Sequence, residues 1–224
     1  MTDSLTLFRE RYRAHSPEPG KPVVVGGPTF EFELAAGVTP ICGIDEAGRG
    51  PLAGPVIAAA VILNPDDFPH GLNDSKKLSE RRREELYEAL LEVAEIGVGL
   101  ADVEEIDTVN ILQASLLAMG RACEALPTKA RFALIDGIHA PDVACSTECI
   151  KGGDGKSLSI AAASIVAKVA RDRYMRALAM DYPEYGWEQN KGYGSAQHLS
   201  ALRKFGPTPH HRVSFAPVRA VSGN

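Results

Sequence analysis

The chain has little that would anchor, export or staple it. No apolar run approaches the ~20 residues a bilayer-spanning helix needs, so no membrane span is expected. Met1-Thr2-Asp3-Ser4-Leu5 offers neither a basic leader nor an apolar segment, which argues against a secretory signal and for a cytoplasmic protein. The 4 cysteines (Cys42, Cys123, Cys145, Cys149) form no Cys-x-x-Cys pair and have no histidine pair near them. Zinc is therefore not expected, and free, buried thiols are; a Cys145–Cys149 bridge would need local geometry to allow it. Internal repeats are absent. So is a surplus of positive charge, since 24 Lys+Arg meet 29 Asp+Glu for a net charge of −5.

That balance is uneven along the chain. From Lys151 to Asn224 there are 11 Lys+Arg against 5 Asp+Glu, whereas the first 150 residues carry 13 against 24. A basic C-terminal part can form a phosphate-facing surface on an acidic protein, or be no more than an uneven solvated face. At 224 residues, 45% hydrophobic and 24% charged, the chain suffices for one substantial core but not for two large domains.

Gly43-Ile44-Asp45-Glu46-Ala47 ends a short apolar run on two adjacent acids, and Gly48-Arg49-Gly50-Pro51-Leu52-Ala53-Gly54-Pro55 is too rich in Gly and Pro for helix or sheet. The next apolar run reads as a buried strand. So short a loop predicts an antiparallel hairpin of residues 42–47 and 56–63, because a parallel crossover needs a dozen or more residues. Ser79 as N-cap predicts a helix over 79–95. A strand over 96–103, a helix over 107–126, a short strand over 131–136 and a long, half-buried helix over 157–180 come next. Short helices are expected between 196 and 204. Residues 5–13 suggest a short amphipathic helix, and the Pro- and Gly-rich stretch from Pro17 to Pro28 a linker. Three strands and then alternating helix and strand imply an α/β sheet with helices on both faces.

Adjacent carboxylates in apolar surroundings repel one another and lose hydration, so a cation or a proton must compensate them. Asp45 and Glu46 are thus candidate metal ligands. Asp136 closes a second apolar strand and precedes Gly137; taken alone it equally fits a turn-initiating Asp. Asp154 lies in Gly152-Gly153-Asp154-Gly155 before the long helix, where it could instead cap that helix or complement its dipole. Four acids with no His or Cys beside them favour Mg²⁺ or Mn²⁺ over zinc. The glycines at 48, 50 and 54 mimic a nucleotide-binding loop, but the spacing is wrong, the preceding acids would repel a pyrophosphate and the next segment is strand-like. Close approach of main chain to a nucleic-acid backbone is the better use. Lys76 and Lys77 read as solvated or as phosphate ligands, and Lys156 and Ser157 offer a further phosphate site. Lys168 and Arg171 read as surface or ion-pair residues, and Tyr182, Tyr185 and Trp187 as core candidates. His198, His210 and His211 lack metal-ligand spacing and read as structural, with His198 also able to approach nucleic acid.

Ile44-Asp45-Glu46-Ala47-Gly48-Arg49-Gly50-Pro51-Leu52-Ala53-Gly54-Pro55 resembles the opening motif of ribonuclease HII, the bacterial type 2 ribonuclease H. Asp74-Ser75-Lys76-Lys77-Leu78, Ile135-Asp136-Gly137, Lys151-Gly152-Gly153-Asp154, the stretch from Ser159 to Val169 and Gly192-Tyr193-Gly194 recur in that family's order. The likeness spans roughly residues 43–215. It implies an α/β, ribonuclease H-like fold with a mixed central sheet flanked by helices and a helical C-terminal extension. The domains would be an unassigned N-terminal extension over 1–40, a catalytic domain over 41–180 and a substrate-binding extension of the same globule over 181–224.

The resemblance further implies an endonuclease that cuts the RNA strand of RNA/DNA hybrids and single ribonucleotides embedded in duplex DNA. Cleavage 5′ of the ribonucleotide would leave a 5′-phosphate and a 3′-hydroxyl. Asp45, Glu46, Asp136 and Asp154 would hold two divalent ions about 3.5–4 Å apart. Gly48, Arg49 and Gly50 would read the ribose 2′-hydroxyl, which distinguishes RNA from DNA. Arg49 and Lys76 would hold phosphate, and Tyr193 would stack on the sugar of the next deoxynucleotide. The family's Thr after Gly-Tyr-Gly is here Ser195, which keeps the hydroxyl. Arg49 between the two glycines favours type 2 over the sister type 3 enzyme. A non-catalytic nucleic-acid-binding protein and a phosphatase are the competing classes. A monomer is expected, since no exposed apolar stripe announces a partner.

Overall fold

Two apolar runs flank the Gly- and Pro-rich loop, and both become strands of one sheet. The computed structural model describes residues 27–222. β1 (Ile41–Ala47) pairs antiparallel with β2 (Val56–Ile62), which pairs antiparallel with β3 (Glu95–Ala101). On the other edge of β1, β4 (Phe132–Asp136) and then β5 (Ser146–Ile150) add in parallel. The order β3-β2-β1-β4-β5 is the mixed sheet expected, hairpin included.

Side chains alternate across a strand, and here both faces are covered. Ala58 and Ala60 of β2 join one core cluster, Ala59 and Val61 the other. That two-sided burial is why β2 reads as an unbroken apolar run. The first face is covered by α4 (Ile111–Glu124), the second by α2 (Glu80–Val93) and α5 (Leu158–Asp181). The helix α5 has 24 residues, a rod of roughly 36 Å. Its first half is buried all round, so truncating Ile165 there should cost about 2–5 kcal/mol. Contact with the sheet is close: a Cβ on Gly43 of β1 would fall 2.1 Å from the Ser159 carbonyl carbon. Only glycine lets α5 start there.

The C-terminal extension contributes α6 (Trp187–Asn190), α7 (Ala196–Phe205) and α8 (Ala216–Arg219). Trp187, Tyr185, Leu202 and Val218 form a further core with Leu52, Ala53 and Met175, so the extension packs on both the glycine loop and α5. The reading of Trp187 and Tyr185 as core is borne out.

Elsewhere the structure departs from expectation. The helix predicted over 107–126 is two, α3 (Val103–Val109) and α4, because Asn110 takes φ 73° and its side chain caps the amides of Leu112 and Gln113. The start of α3 is set by an Asp102/Glu105 capping box, which ends β3 at Ala101. β5 was not foreseen, being an edge strand with Ser146, Thr147 and Glu148 exposed. The helix expected near residues 5–13 and most of the predicted linker lie outside the described residues. The segment after that linker packs on the body: α1 (Glu31–Ala36) brings Phe30 into the core and buries Glu33, which accepts from Ser157 Oγ at 2.7 Å and the Ser159 amide at 2.9 Å. Ser157 is thereby consumed, and with Lys156 Nζ turned to the Lys151 carbonyl the predicted phosphate site at this helix start is not formed. The cysteines are free as expected, but only Cys42 is buried and the others are half-buried.

Candidate active site

The parallel register of β1 and β4 matches Ile44 to Ile135. The next residues, Asp45 near the end of β1 and Asp136 at the end of β4, therefore lie on the same face of neighbouring strands, the one α5 covers. Asp154 arrives from the turn Gly153–Gly155 just before α5, held to β4 because the Gly153 amide donates to Asp136 Oδ1 at 2.7 Å. Carboxylate oxygens of Asp45, Asp136 and Asp154 lie within 4.8 Å of one another. Three segments far apart in sequence meet at one sheet end, as expected.

Glu46 stands differently. Alternation turns it to the opposite face of β1, and it is outside that trio. Its Oε1 accepts from Arg49 Nη1 at 3.2 Å, while its Oε2 is buried without a partner. It still lines the same cleft of about 310 Å³ as Asp45 and Asp136.

These acids are uncomfortable. Burial, then Glu46 and Asp136, hold the Asp45 carboxyl well above the usual carboxylate range. Asp154 is raised by burial, then by Asp136 and Asp74, and Glu46 mainly by burial. Crowded carboxylates with an orphaned oxygen among them suit a divalent cation, whose charge would offset the repulsion and whose hard oxygen preference matches the donors. Lys76 Nζ, 3.5 Å from Asp154 Oδ2, supplies part of the missing charge. Burial pulls its pKa down, but Asp154, Asp45, Asp74 and Asp136 outweigh that and raise it.

Gly48, Arg49, Gly50, Lys76 and Tyr193 all line the cleft. The two glycines differ in kind. Gly48 sits at φ 102° and a Cβ there would strike Arg171 at 2.0 Å, so packing and backbone both demand glycine. Gly50 has no positive φ, and a Cβ on it would meet only Tyr193 Cε1 at 3.5 Å, so its surface is open to a ligand.

Two residues that hold this loop escaped the sequence reading. Arg212, fully buried, donates to the carbonyls of Gly48, Arg49, Pro51 and Gly54 at 2.6–3.0 Å. Arg171, expected at the surface or in an ion pair, is buried and donates to those of Ala53, Pro55 and Lys191 at 2.9–3.0 Å. Burial lowers their pKa values to about 9 and about 10. Strand-like bonds between Ala53 and His211 add to the clamp.

Lys168 lines the cleft and pairs with Asp172 at 2.6 Å. Arg173 and Arg176 pair with Glu80, Glu84 and Glu88 of α2. Much of the basic C-terminal surplus is thus used within the protein rather than displayed. His198 is buried, away from any approach to nucleic acid.

A mixed sheet whose central strands end on clustered acids, with helices on both faces, is the arrangement of a metal-dependent nuclease of the ribonuclease H-like fold. The family profile of ribonuclease HII matches residues 42–218. Ribonuclease HII of Paramagnetospirillum magneticum is 59% identical over 193 residues, covering 84% of this chain and 94% of that protein. That of Jannaschia sp. is 54% identical over 196 residues, covering 87% and 98%. Among solved structures, ribonuclease H2 of Pyrococcus horikoshii superposes with a TM-score of 0.68 at 25% identity, covering 81% of this chain and 96% of that one. The RNase HII of Archaeoglobus fulgidus, solved in complex with PCNA, gives 0.66 at 26%, covering 79% and 95%. The chain belongs to the ribonuclease HII family, and is a metal-dependent endoribonuclease acting on RNA/DNA hybrids. Among the described residues no helix is long and apolar enough to cross a membrane.

Proposed function

We propose that the protein also cuts at single ribonucleotides embedded in duplex DNA, 5′ of the ribonucleotide, leaving a 5′-phosphate and a 3′-hydroxyl. The observation that carries this is the meeting of the Asp45, Asp136 and Asp154 carboxylates beside the open main chain of Gly50. Asp45, Asp136 and Asp154, with Glu46 from the other face of β1, would hold two divalent ions, Mg²⁺ or Mn²⁺. When bound, such ions lower the pKa of the attacking water and offset charge on the departing oxygen. The protein's own part is orientation. Main chain at Gly48 and Gly50 meets the ribose 2′-hydroxyl, a contact that an all-DNA duplex cannot make. Arg49, paired with Glu46 at 3.2 Å, would hold the scissile strand's phosphate, and Glu46 would then be available as a ligand. Lys76 holds a second phosphate, and the half-exposed Tyr193 ring stacks on the next sugar. The 181–224 extension belongs to the same globule as the 41–180 catalytic part and shapes the substrate face. The enzyme works as a cytoplasmic monomer.

The test is cleavage of a duplex carrying one ribonucleotide, mapped to the nucleotide, with the divalent ion varied. One cut on the 5′ side and none in all-DNA duplex is expected. Asp45→Asn and Asp136→Asn should each lower turnover by about 10²–10³-fold or more while remaining folded. Undiminished turnover in either would remove this assignment of ligands.

A further inference from the structure

The turn that carries Tyr193 is pinned from beneath by a buried chain of rings. Trp187, His198 and His211 are each at most 1% exposed. Their hydrogen bonds admit one arrangement of protons. The Thr208 amide donates to His211 Nδ1 at 2.9 Å, so the proton of that ring lies on Nε2 and points at His198 Nε2, 3.0 Å away. Trp187 Nε1–H donates to the same His198 nitrogen at 3.1 Å. With Nε2 accepting, the His198 proton must lie on Nδ1, which faces the Tyr193 carbonyl at 2.9 Å. A second proton on either ring would set two N–H groups against each other. Burial favours the neutral rings, lowering His198 and taking His211 down to about 4.

The end of this chain is not an ordinary core contact. Tyr193 is 48% exposed at the cleft, its ring beside Gly50. Its carbonyl also accepts from the Ser195 amide at 2.8 Å, and Ser195 caps α7 by accepting from the His198 amide. Ring orientation and helix start are therefore tied to one imidazole.

We infer that His198 is a positioning residue for the nucleic acid: its Nδ1–H fixes the Tyr193 main chain and so aims the phenol ring across the cleft, while Trp187 and His211 hold the tautomer that permits this. The inference rests on the role proposed above for Tyr193. It assigns a task in substrate binding to three residues that never touch substrate.

The experiment is steady-state cleavage of a duplex in which one strand runs from RNA into DNA. His198→Ala should raise KM about 5- to 10-fold with kcat within about 2-fold. His198→Asn places an amide N–H where Nδ1 sits and should restore most of the loss, whereas His198→Gln places it near Nε2 and should not. Tyr193→Ala should raise KM by itself, and adding His198→Ala to it should cost nothing more. Equal failure of the Asn and Gln variants, or KM factors that multiply in the double variant, overturns the positioning role while leaving that of Tyr193 intact. An unchanged KM in Tyr193→Ala overturns both. In the native protein, ¹⁵N ring spectra should show His198 protonated on Nδ1 and His211 on Nε2 at neutral pH; the reverse tautomers would also end the proposal.

Discussion

The acid corner and the glycine loop lie side by side, and both bury charge, yet they do it in opposite ways. Asp45, Asp136 and Asp154 crowd together with one lysine and a few amides to answer three carboxylates. Arg171 and Arg212 spread their donors over the carbonyls of the glycine loop and of Lys191, with every guanidinium nitrogen occupied. On the function proposed above the corner awaits a cation, whereas the loop is finished before any ligand comes. On that same proposal, a loop that senses one hydroxyl gains from rigidity, and a site that exchanges ions gains from donors not already engaged.

The heaviest blow to that contrast is Arg212→Met. It strips donors from the carbonyls of Gly48, Arg49, Pro51 and Gly54, and should cost about 3–5 kcal/mol, or roughly 10 °C of melting temperature. A melting curve within about 2 °C of the parent would mean that the loop holds itself.

Acid should distinguish the regions next. An unfolded His211 takes up a proton as pH falls below its ordinary value near 6.5, whereas the buried ring resists until about 4. Its contribution to stability is thus whole above pH 7 and drains away between those values, by up to about 3 kcal/mol. The raised carboxyls of Asp45, Glu46 and Asp154 act the other way, since the folded state takes up their protons first and acidification relieves their repulsion. Denaturant titrations at pH 7 and pH 4 should show the parent losing its advantage over His211→Gln. A constant gap would refute the assignment.

The smallest effect bears on the corner alone. Without divalent ions, Asp45→Asn should melt about 2–4 °C higher than the parent, because one crowded charge is gone. Saturating Mg²⁺ should stabilise the parent and leave the variant almost unmoved. A lower melting temperature for the metal-free variant would show that the corner is not strained.

Much of this was legible in the sequence because burial and periodicity coincide. β2, covered on both faces, is an unbroken apolar run, and α5 announces itself by an apolar stretch that no strand would need. Asp136 and Asp154 were placed because each ends an apolar element, though only the family likeness tied them to Asp45. The hidden features depend on partners distant in sequence. β5 forms because β4 offers it an edge, and its own exposed residues carry no pattern. The break at Asn110 rests on one side chain capping two amides. The opposite facing of Asp45 and Glu46 follows from strand alternation, yet their shared position at a strand end made a single cluster the natural expectation. Arg212 looked like one more basic residue of the tail until the loop closed around it.

Gly43 has no side chain to offer, and its importance lies in what it leaves out. The turn bearing Asp154 runs directly into the helix that rests on this bare stretch of backbone. Any side chain at that point would act as a wedge, lifting the first turn of the rod and dragging Asp154 off the strand ends where its two partners sit. A position with no functional group at all thus serves as the gauge block for the distance between Asp154 and the acids of the two strands.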